Sequence, residues 1–362
     1  MAADSTSTLR SRLLLFGAGL GVALGLAEII LRLMPPMGPE FVLAATLGEI
    51  DHSAFKDDTE LKVVLAPSVS ADGFETNSKG IRGPSLSKKP AGEKRILAVG
   101  DSFTLGMQVD DGETFSAILD EALGTNVRVL NAGVPGYGTE QATGLMKRLV
   151  PIVEADAVLL TVYSGNDLRD NARWAESPGM PTTPPPVTVP PPQRSSLIKS
   201  LGRVSRVVSY MLLYADLQRR AEDFRIEEFR DEVAPFSDRD ALNPLMPPTR
   251  AAMQRFNDAC RDLAVRCGVA LVPPAYVVHK ARRASTFEAF GLDYDPDQID
   301  GPARAILSAV RRPTTTIDLT EALQAAEDRQ PYLLFDPHFS AAGHQIAADA
   351  LQSFVTRLVE SP

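Results

Sequence analysis

A serine and a histidine in this chain could together carry out nucleophilic catalysis. Ser102 lies in the stretch GDSFTLG (100–106), where its hydroxyl can act as a nucleophile if a base reaches it. Asp336 and His338 lie two residues apart in DPHFSAAGH (336–344), and an aspartate in such a position can orient an imidazole as a general base. The second histidine of that stretch, His344, is expected to be structural because it enters a predicted helix.

Two further stretches offer hydrogen-bond donors for a negatively charged intermediate. Residues 131–139 (NAGVPGYGT) contain three glycines, which allow backbone N–H groups to point at a ligand. Asn166 lies in SGND (164–167), and its side-chain amide can donate to a developing oxyanion. Taken singly, each stretch also fits a helix cap or an ordinary turn. Together they supply a nucleophile, a base and two sets of oxyanion donors.

The surrounding pattern predicts a parallel sheet that brings these stretches to one edge. Short apolar runs alternate with segments of helical spacing, which is typical of strands joined by crossover helices. Ser102, the glycine-rich turn and Asn166 each follow one of the first three predicted strands, and His338 precedes the last helix. The predicted strands are Lys94–Val99, Val127–Leu130, Asp156–Tyr163, Val269–Val272 and Thr315–Leu319. The main predicted helices are Glu113–Leu123, Thr139–Val150, Arg250–Arg266, Pro302–Arg311 and Ser340–Leu358.

The four stretches resemble the conserved blocks of the SGNH (GDSL-type) hydrolase superfamily. The matching blocks are GDSFTLG (100–106), NAGVPGYG (131–138), SGND (164–167) and DPHFSAAGH (336–344), and NSKGIR (77–82) resembles a lead-in of bacterial members. The resemblance implies a three-layer α/β/α, flavodoxin-like domain. It also implies a serine-dependent esterase that works without a cofactor or metal ion.

The resemblance assigns a role to each matching residue. Ser102 would be the nucleophile, His338 the base and Asp336 its partner. Ser102, Gly136 and Asn166 would form the oxyanion hole, with Gly136 favoured over Gly133 by its spacing from Asn131. Many members of the superfamily have D-x-x-H where this chain has D-x-H. The shorter step resembles the branch of alginate-type O-acetyltransferases and favours acyl transfer as an alternative to hydrolysis.

The N-terminus carries an apolar segment that could cross a membrane. Residues 13–27 contain no charged side chain, and Ser11–Met34 is long enough to span if Glu28 and Arg32 pair near one end. Arg10 and Arg12 precede the segment, so the remainder of the chain is expected outside the cytoplasm, periplasmic or extracellular. A cleaved signal peptide, which would leave a secreted protein, is the alternative.

The sequence divides into three regions. Residues 1–35 are the anchor or signal segment, 36–92 a stalk and lead-in, and 93–362 the hydrolase-like domain. A cap-like insertion at about 172–248 interrupts that domain. It begins with a proline-rich stretch (178–192) expected to be extended, followed by a helical stretch from about Ser196 to Arg230.

Composition excludes several classes of protein. The chain has 362 residues, 44% hydrophobic and 23% charged, which argues against a disordered chain or a multispan membrane protein. Its net charge of −9 argues against nucleic-acid binding. Cys260 and Cys267 are expected to be free thiols, because on one helix they would lie about 10 Å apart.

The sequence thus predicts a membrane-anchored, serine-dependent esterase acting on O-acyl, most simply acetyl, esters of a carbohydrate or small molecule. An O-acyltransferase that modifies a cell-envelope or secreted polysaccharide is the first alternative. An inactive SGNH-like binding module is the second. The sequence does not fix the substrate, the acyl chain length or the oligomeric state.

Overall fold

A five-stranded parallel sheet forms the centre of the molecule. The computed structural model describes residues 4–33, 54–71, 74–176, 205–211, 226–333 and 337–360. The strands are β1 (Phe55–Asp58), β2 (Lys62–Leu65), β3 (Ser70–Ala71), β4 (Phe74–Glu75), β5 (Lys94–Gly100), β6 (Val127–Gly133), β7 (Ala157–Tyr163), β8 (Arg266–Val272) and β9 (Thr315–Asp318). The sheet order is β6-β5-β7-β8-β9, and every neighbouring pair in it is parallel.

Helices cover both faces of this sheet. In chain order they are α1 (Asp4–Leu33), α2 (Ser102–Leu105), α3 (Phe115–Ala122), α4 (Thr139–Val153), α5 (Asp167–Glu176), α6 (Ile226–Val233), α7 (Arg239–Leu242), α8 (Met246–Asp262), α9 (Ala275–Val278), α10 (Lys280–Ala289), α11 (Gly301–Ala309), α12 (Thr320–Ala325) and α13 (Ala341–Glu360). The predicted α/β architecture is confirmed, with strand and helix bounds that mostly differ by one to four residues.

The central strands are apolar throughout because both of their faces are buried. In β5, Leu97 and Val99 belong to a core packed under α4, α8 and α11, whereas Ile96 and Ala98 belong to a second core under α3 and α13. Side chains of a strand alternate between its two faces, so a strand covered by helices on both sides is apolar at nearly every position. This explains the uninterrupted apolar runs in the sequence and gives the three layers.

The lead-in packs against the domain from residue 54 onward. The hairpin of β1 and β2 contributes Leu61 and Leu65 to the first core. The hydroxyl of Tyr137 donates to the carbonyl of Val63 at 2.5 Å, and Arg148 pairs with Asp58 at 2.6 Å. Apolar burial and these polar contacts join the lead-in to α4 and to the turn that precedes it.

The expectation of free thiols at Cys260 and Cys267 is wrong. The structure joins them in a disulfide, with 6.2 Å between their Cα atoms. Helix α8 ends at Asp262, four residues before the predicted end, and the chain turns back through Ala264 in the left-handed region to enter β8. Cys260 is therefore on a helix and Cys267 on a strand, so the spacing of a continuous helix does not apply.

Only part of the predicted insertion lies within the described residues. Helix α5 continues through Glu176. A helical segment at 206–211 falls within the stretch expected to be helical, and helix α6 begins inside that stretch and extends three residues beyond its predicted end at Arg230. The proline-rich stretch 178–192 lies outside the described residues. So does Asp336.

Candidate active site

The nucleophile candidate lies at the carboxyl end of strand β5. Ser102 opens the short helix α2, where Asp101 caps the first turn by accepting from the backbone N–H of Phe103 at 2.9 Å. The amide of Asn131 donates to the carbonyl of Thr104 at 2.7 Å and ties this helix to β6. Contacts from the end of β5 and from β6 therefore fix the short helix that begins with Ser102.

The histidine candidate reaches Ser102 from the loop before α13. Leu333 donates its backbone N–H to the carbonyl of His338 at 3.0 Å, and Tyr332 and Phe339 form a short antiparallel bridge. This turn directs the imidazole to the serine, where Nε2 of His338 lies 2.7 Å from Oγ of Ser102. The pairing predicted from two stretches 236 residues apart is therefore present in the structure.

Aromatic rings pack around the imidazole. The ring of Phe103 lies 5.0 Å from that of His338 and 4.2 Å from that of Tyr163, measured between centroids. Phe339 meets Phe103 edge-on at 5.0 Å. These rings belong to the second core, so they restrict the imidazole and exclude water from one side of it.

The candidate oxyanion donors follow the two strands that flank β5. Gly136 lies in the turn after β6 with a φ of +75°, a conformation that favours glycine. Gly133 is instead the last residue of β6, and its N–H donates to the side chain of Asn131 at 3.1 Å. Asn166 follows β7, and its carbonyl accepts from Asp170 at the start of α5. Ser102, Gly136 and Asn166 therefore share one edge of the sheet, at the position where strand order reverses.

Three buried carboxyl groups lie behind this edge. Burial raises the pKa of Asp101 to about 6, and the charge of nearby His338 opposes that rise. Burial also raises the pKa of Asp167, where the negative charges of Asp101 and Asp170 add to the effect. Asp101 thus lies close enough to His338 for their charges to interact.

The other histidine of the last block has a structural role. His344 is buried, and its Nδ1 accepts from the backbone N–H of Phe115 at 3.2 Å. Burial lowers the pKa of His344 to about 3, so the ring is neutral at physiological pH. Among the residues that the structure describes, no group of three or more His, Cys, Asp or Glu side chains is placed to hold a metal ion.

Sequence reasoning missed one residue of this site. The side chain of Gln108 meets the other ring nitrogen of His338, with 3.0 Å between Nε2 and Nδ1. Gln108 lies six residues beyond Ser102, outside the block that carries the resemblance, and nothing in its sequence context points to His338. The contact joins residues 230 positions apart and depends on how the two loops meet.

The model of the GDSL-like lipase/acylhydrolase family matches residues 98–301, more than half of the chain. The protein belongs to this family. It is accordingly a hydrolase that acts on esters, as the resemblance implied. A comparison with curated protein sequences finds no match.

Solved structures of similar fold include esterases and lipases. A catalytic mutant of an acetylxylan esterase from Geobacillus stearothermophilus is 14% identical, covering 76% of this chain and 98% of its own, with a TM-score of 0.38. A GDSL-like lipase from Bacteroides thetaiotaomicron is 13% identical, covering 75% and 92%, with a TM-score of 0.39. A lipolytic G-D-S-L family protein from Veillonella parvula is 14% identical, covering 73% and 100%, with a TM-score of 0.37.

Proposed function

We propose that this protein is a serine esterase that removes O-acyl groups, most simply acetyl, through an acyl-enzyme at Ser102. The contact of 2.7 Å between Ser102 Oγ and His338 Nε2 carries the proposal, because it pairs a nucleophile with a base at the sheet edge. The membership of the protein in the GDSL-like lipase/acylhydrolase family supplies the reaction class, ester hydrolysis.

The proposed reaction has two halves. Ser102 gives its proton to Nε2 of His338 while Oγ attacks the ester carbonyl carbon, and the oxyanion accepts from the N–H groups of Ser102 and Gly136 and from the amide of Asn166. The tetrahedral intermediate expels the alcohol, which takes the proton from His338 and leaves Ser102 acylated. Water then attacks the acyl group with His338 as base, and the acid is released as Ser102 regains its proton. Asp336 is proposed to orient the imidazole of His338.

The proposed site of action is outside the cytoplasm. The stretch Leu15–Leu33 of α1 is long and apolar enough to cross a membrane, and none of its residues is fully buried. The disulfide between Cys260 and Cys267 supports export, because disulfides persist in oxidising compartments. The same helix also fits a signal peptide that would be removed.

Covalent labelling tests the nucleophile. The full chain in detergent is treated with a fluorophosphonate probe beside Ser102→Ala and a matched control, Ser308→Ala, an exposed serine whose hydroxyl donates to the carbonyl of Ala305 in its own helix. Labelling of the wild type and the control, with none of Ser102→Ala, is the expected result. A folded wild type that neither labels nor hydrolyses p-nitrophenyl acetate would refute the esterase and favour the inactive binding module.

Acyl transfer to a sugar is the second candidate, favoured by the short step from Asp336 to His338. The acceptor decides between the two reactions, since both pass through the same acyl-enzyme. Turnover of an acetylated donor with and without oligosaccharide is expected to release free acetate in both cases. Acetylated oligosaccharide in place of acetate would establish the transferase instead.

A further inference from the structure

The apolar surface of α1 continues past Glu28. Residues 13–27 carry no charge, but as a helix they rise only about 22 Å, which is less than the roughly 30 Å of a hydrocarbon core. Beyond Glu28, the residues Ile29, Ile30 and Leu33 are 56%, 54% and 82% exposed. When α1 crosses a membrane with these apolar side chains in lipid, Glu28 lies inside the core, near its boundary on the side of the catalytic domain.

The carboxylate of Glu28 is paired by the segment at 206–211 and by the serine before it. It accepts from the hydroxyl of Ser205 at 2.8 Å and from the backbone N–H groups of Arg206 and Val207 at 2.9 and 3.0 Å. A charged side chain at membrane depth is costly and needs such partners. Because these donors contact Glu28 directly, the start of the segment lies at the depth of Glu28.

The segment in turn supplies a donor to the end of α1. The guanidinium of Arg206 donates to the backbone carbonyl of Leu31, which lies two residues before the end of the helix. The last carbonyls of a helix have no partner within it, and in hydrocarbon no water can take that place. Glu28 therefore caps the start of the segment, and Arg206 caps the end of α1. Each contact suits a pair of helix ends that meet within or at the edge of a membrane.

The segment at 206–211 presents apolar side chains beside α1. Val207, Val208 and Met211 have the spacing of one helix face, and Met211 is 66% exposed. The sequence contains no charged side chain from Val207 to Ala215. Apolar side chains gain free energy by leaving water, and the lipid around α1 is the apolar phase within their reach.

We propose that the segment at 206–211 is a second membrane-contacting element, which lies beside α1 in the leaflet next to the catalytic domain and packs its apolar face against lipid acyl chains. The proposal rests on the proposed crossing of the membrane by α1 and is independent of the reaction at Ser102. A single helix leaves the attached domain free to turn about the helix axis. A second contact removes that freedom, so the insertion holds the catalytic domain in one orientation on the membrane.

Nitroxide labels test whether Met211 faces lipid. The full chain is reconstituted in vesicles of phosphatidylcholine and phosphatidylglycerol and labelled at Met211→Cys, or at Leu24→Cys in the middle of the apolar stretch. Ile152→Cys is the matched control, an apolar residue of α4 that is 50% exposed. The native cysteines form a disulfide and take no label. Oxygen concentrates in lipid and a nickel chelate stays in water, so the ratio of their effects on each label reports its surroundings.

We expect the oxygen-to-nickel ratio at Met211 to exceed that at Ile152 severalfold and to approach that at Leu24. Lipid contact is the reason, since both Met211 and Ile152 are exposed apolar positions and differ in what surrounds them. Val208→Cys, three residues before Met211 on the same face, gives a second measurement that does not depend on the folding of Met211→Cys.

Equal ratios at Met211 and Ile152, with Leu24 in lipid, would overturn the proposal, because the segment would then lie in water. Low access of both reagents to Met211 would also overturn it, since protein would cover the face, and spectral broadening between labels would identify a second copy of the chain. A nickel-accessible label at Leu24 would refute the membrane crossing and the proposal together. Failure of the esterase is distinct, because it appears as loss of fluorophosphonate labelling at Ser102 in the same vesicles and leaves these ratios unchanged.

Discussion

Substitutions of individual side chains in the site should differ in their effects on catalysis and on stability. His338 is placed by a loop, by the ring of Phe103 and by the contact with Ser102, so its position has several supports. Asn166 has a simpler role in the proposed reaction, since its amide acts only when negative charge develops on the substrate. Variants at this scale therefore separate chemistry from folding.

Asn166→Ala should slow turnover without unfolding the protein. Loss of one oxyanion donor typically costs about 10²–10³-fold in kcat, while the carbonyl of Asn166 that accepts from Asp170 is kept. Steady-state kinetics and a thermal melt measure the two effects. Asn126→Ala, an exposed change before β6, is the control. Wild-type turnover in Asn166→Ala would remove Asn166 from the oxyanion hole.

Asp170→Asn should stabilise the protein more at pH 8 than at pH 4. Burial raises the pKa of Asp170 well above its ordinary value, and the charge of Glu232 adds to this. The unfolded chain releases this proton near pH 4, so above that pH ionisation favours unfolding by about 1.4 kcal/mol per unit of pKa rise. Near pH 4 both states hold the proton to similar degrees, and the penalty is small.

Thermal melts of wild type and Asp170→Asn at the two pH values measure this difference. Asn keeps the shape of the side chain without its charge, so the gain in melting temperature should grow with pH. Asp293→Asn, an exposed change, should show no such growth. A gain of equal size at both pH values would mean that Asp170 does not carry the penalty.

At the scale of elements, the close approach of α2 to β6 sets the position of the nucleophile. A Cβ atom added at Gly133 would lie 2.3 Å from the backbone nitrogen of Leu105 and 2.7 Å from the carbonyl carbon of Thr104. Backbone cannot move aside as a flexible side chain does. Only a glycine lets the short helix that begins with Ser102 rest against the neighbouring strand.

Gly133→Ala should therefore both destabilise the protein and impair catalysis. Overpacking of this kind costs about 1–3 kcal/mol, and the displaced α2 carries Ser102 away from His338. Denaturant unfolding and the rate of fluorophosphonate labelling report the two effects. Gly112→Ala, where an added Cβ meets nothing within 4 Å, is the matched control. Wild-type stability and labelling in Gly133→Ala would refute the packing argument.

At the scale of the whole molecule, the apolar helix and the insertion are in contact. The carboxylate of Glu28 on α1 accepts from the hydroxyl of Ser205 at 2.8 Å and from the backbone N–H groups of Arg206 and Val207 at 2.9 and 3.0 Å. Glu28 also pairs with Arg32 at 2.8 Å, which confirms the pairing predicted from their spacing. One carboxylate thus links the N-terminal helix to the segment at 206–211.

Glu28→Ala should expose that segment to protease. Trypsin cleavage after Arg206 in detergent is expected to speed up severalfold, because the backbone at Arg206 and Val207 loses its acceptor. Arg32→Ala removes the ion pair on α1 and keeps the three bonds to the segment, so it should cleave at the wild-type rate. Equal rates in wild type and Glu28→Ala would show that the contact does not protect the segment.

The sequence alone determined the α/β class, the order of strands and helices, and the site pair of Ser102 and His338. These features follow from local pattern. Buried strands must be apolar, and loops that follow parallel strands must meet at one edge of the sheet. A resemblance in four short blocks then named the chemistry that those loops carry.

Tertiary structure decided the contacts between segments that are distant in the chain or that change direction. The disulfide of Cys260 and Cys267 depends on where α8 ends. The periodicity of apolar residues does not locate the end of a helix to the residue. The contacts of Gln108 with His338 and of Glu28 with the segment at 206–211 join residues far apart in the chain. These contacts form because packing of the whole chain brings the segments together at particular distances. Residue types and local spacing do not predict those distances.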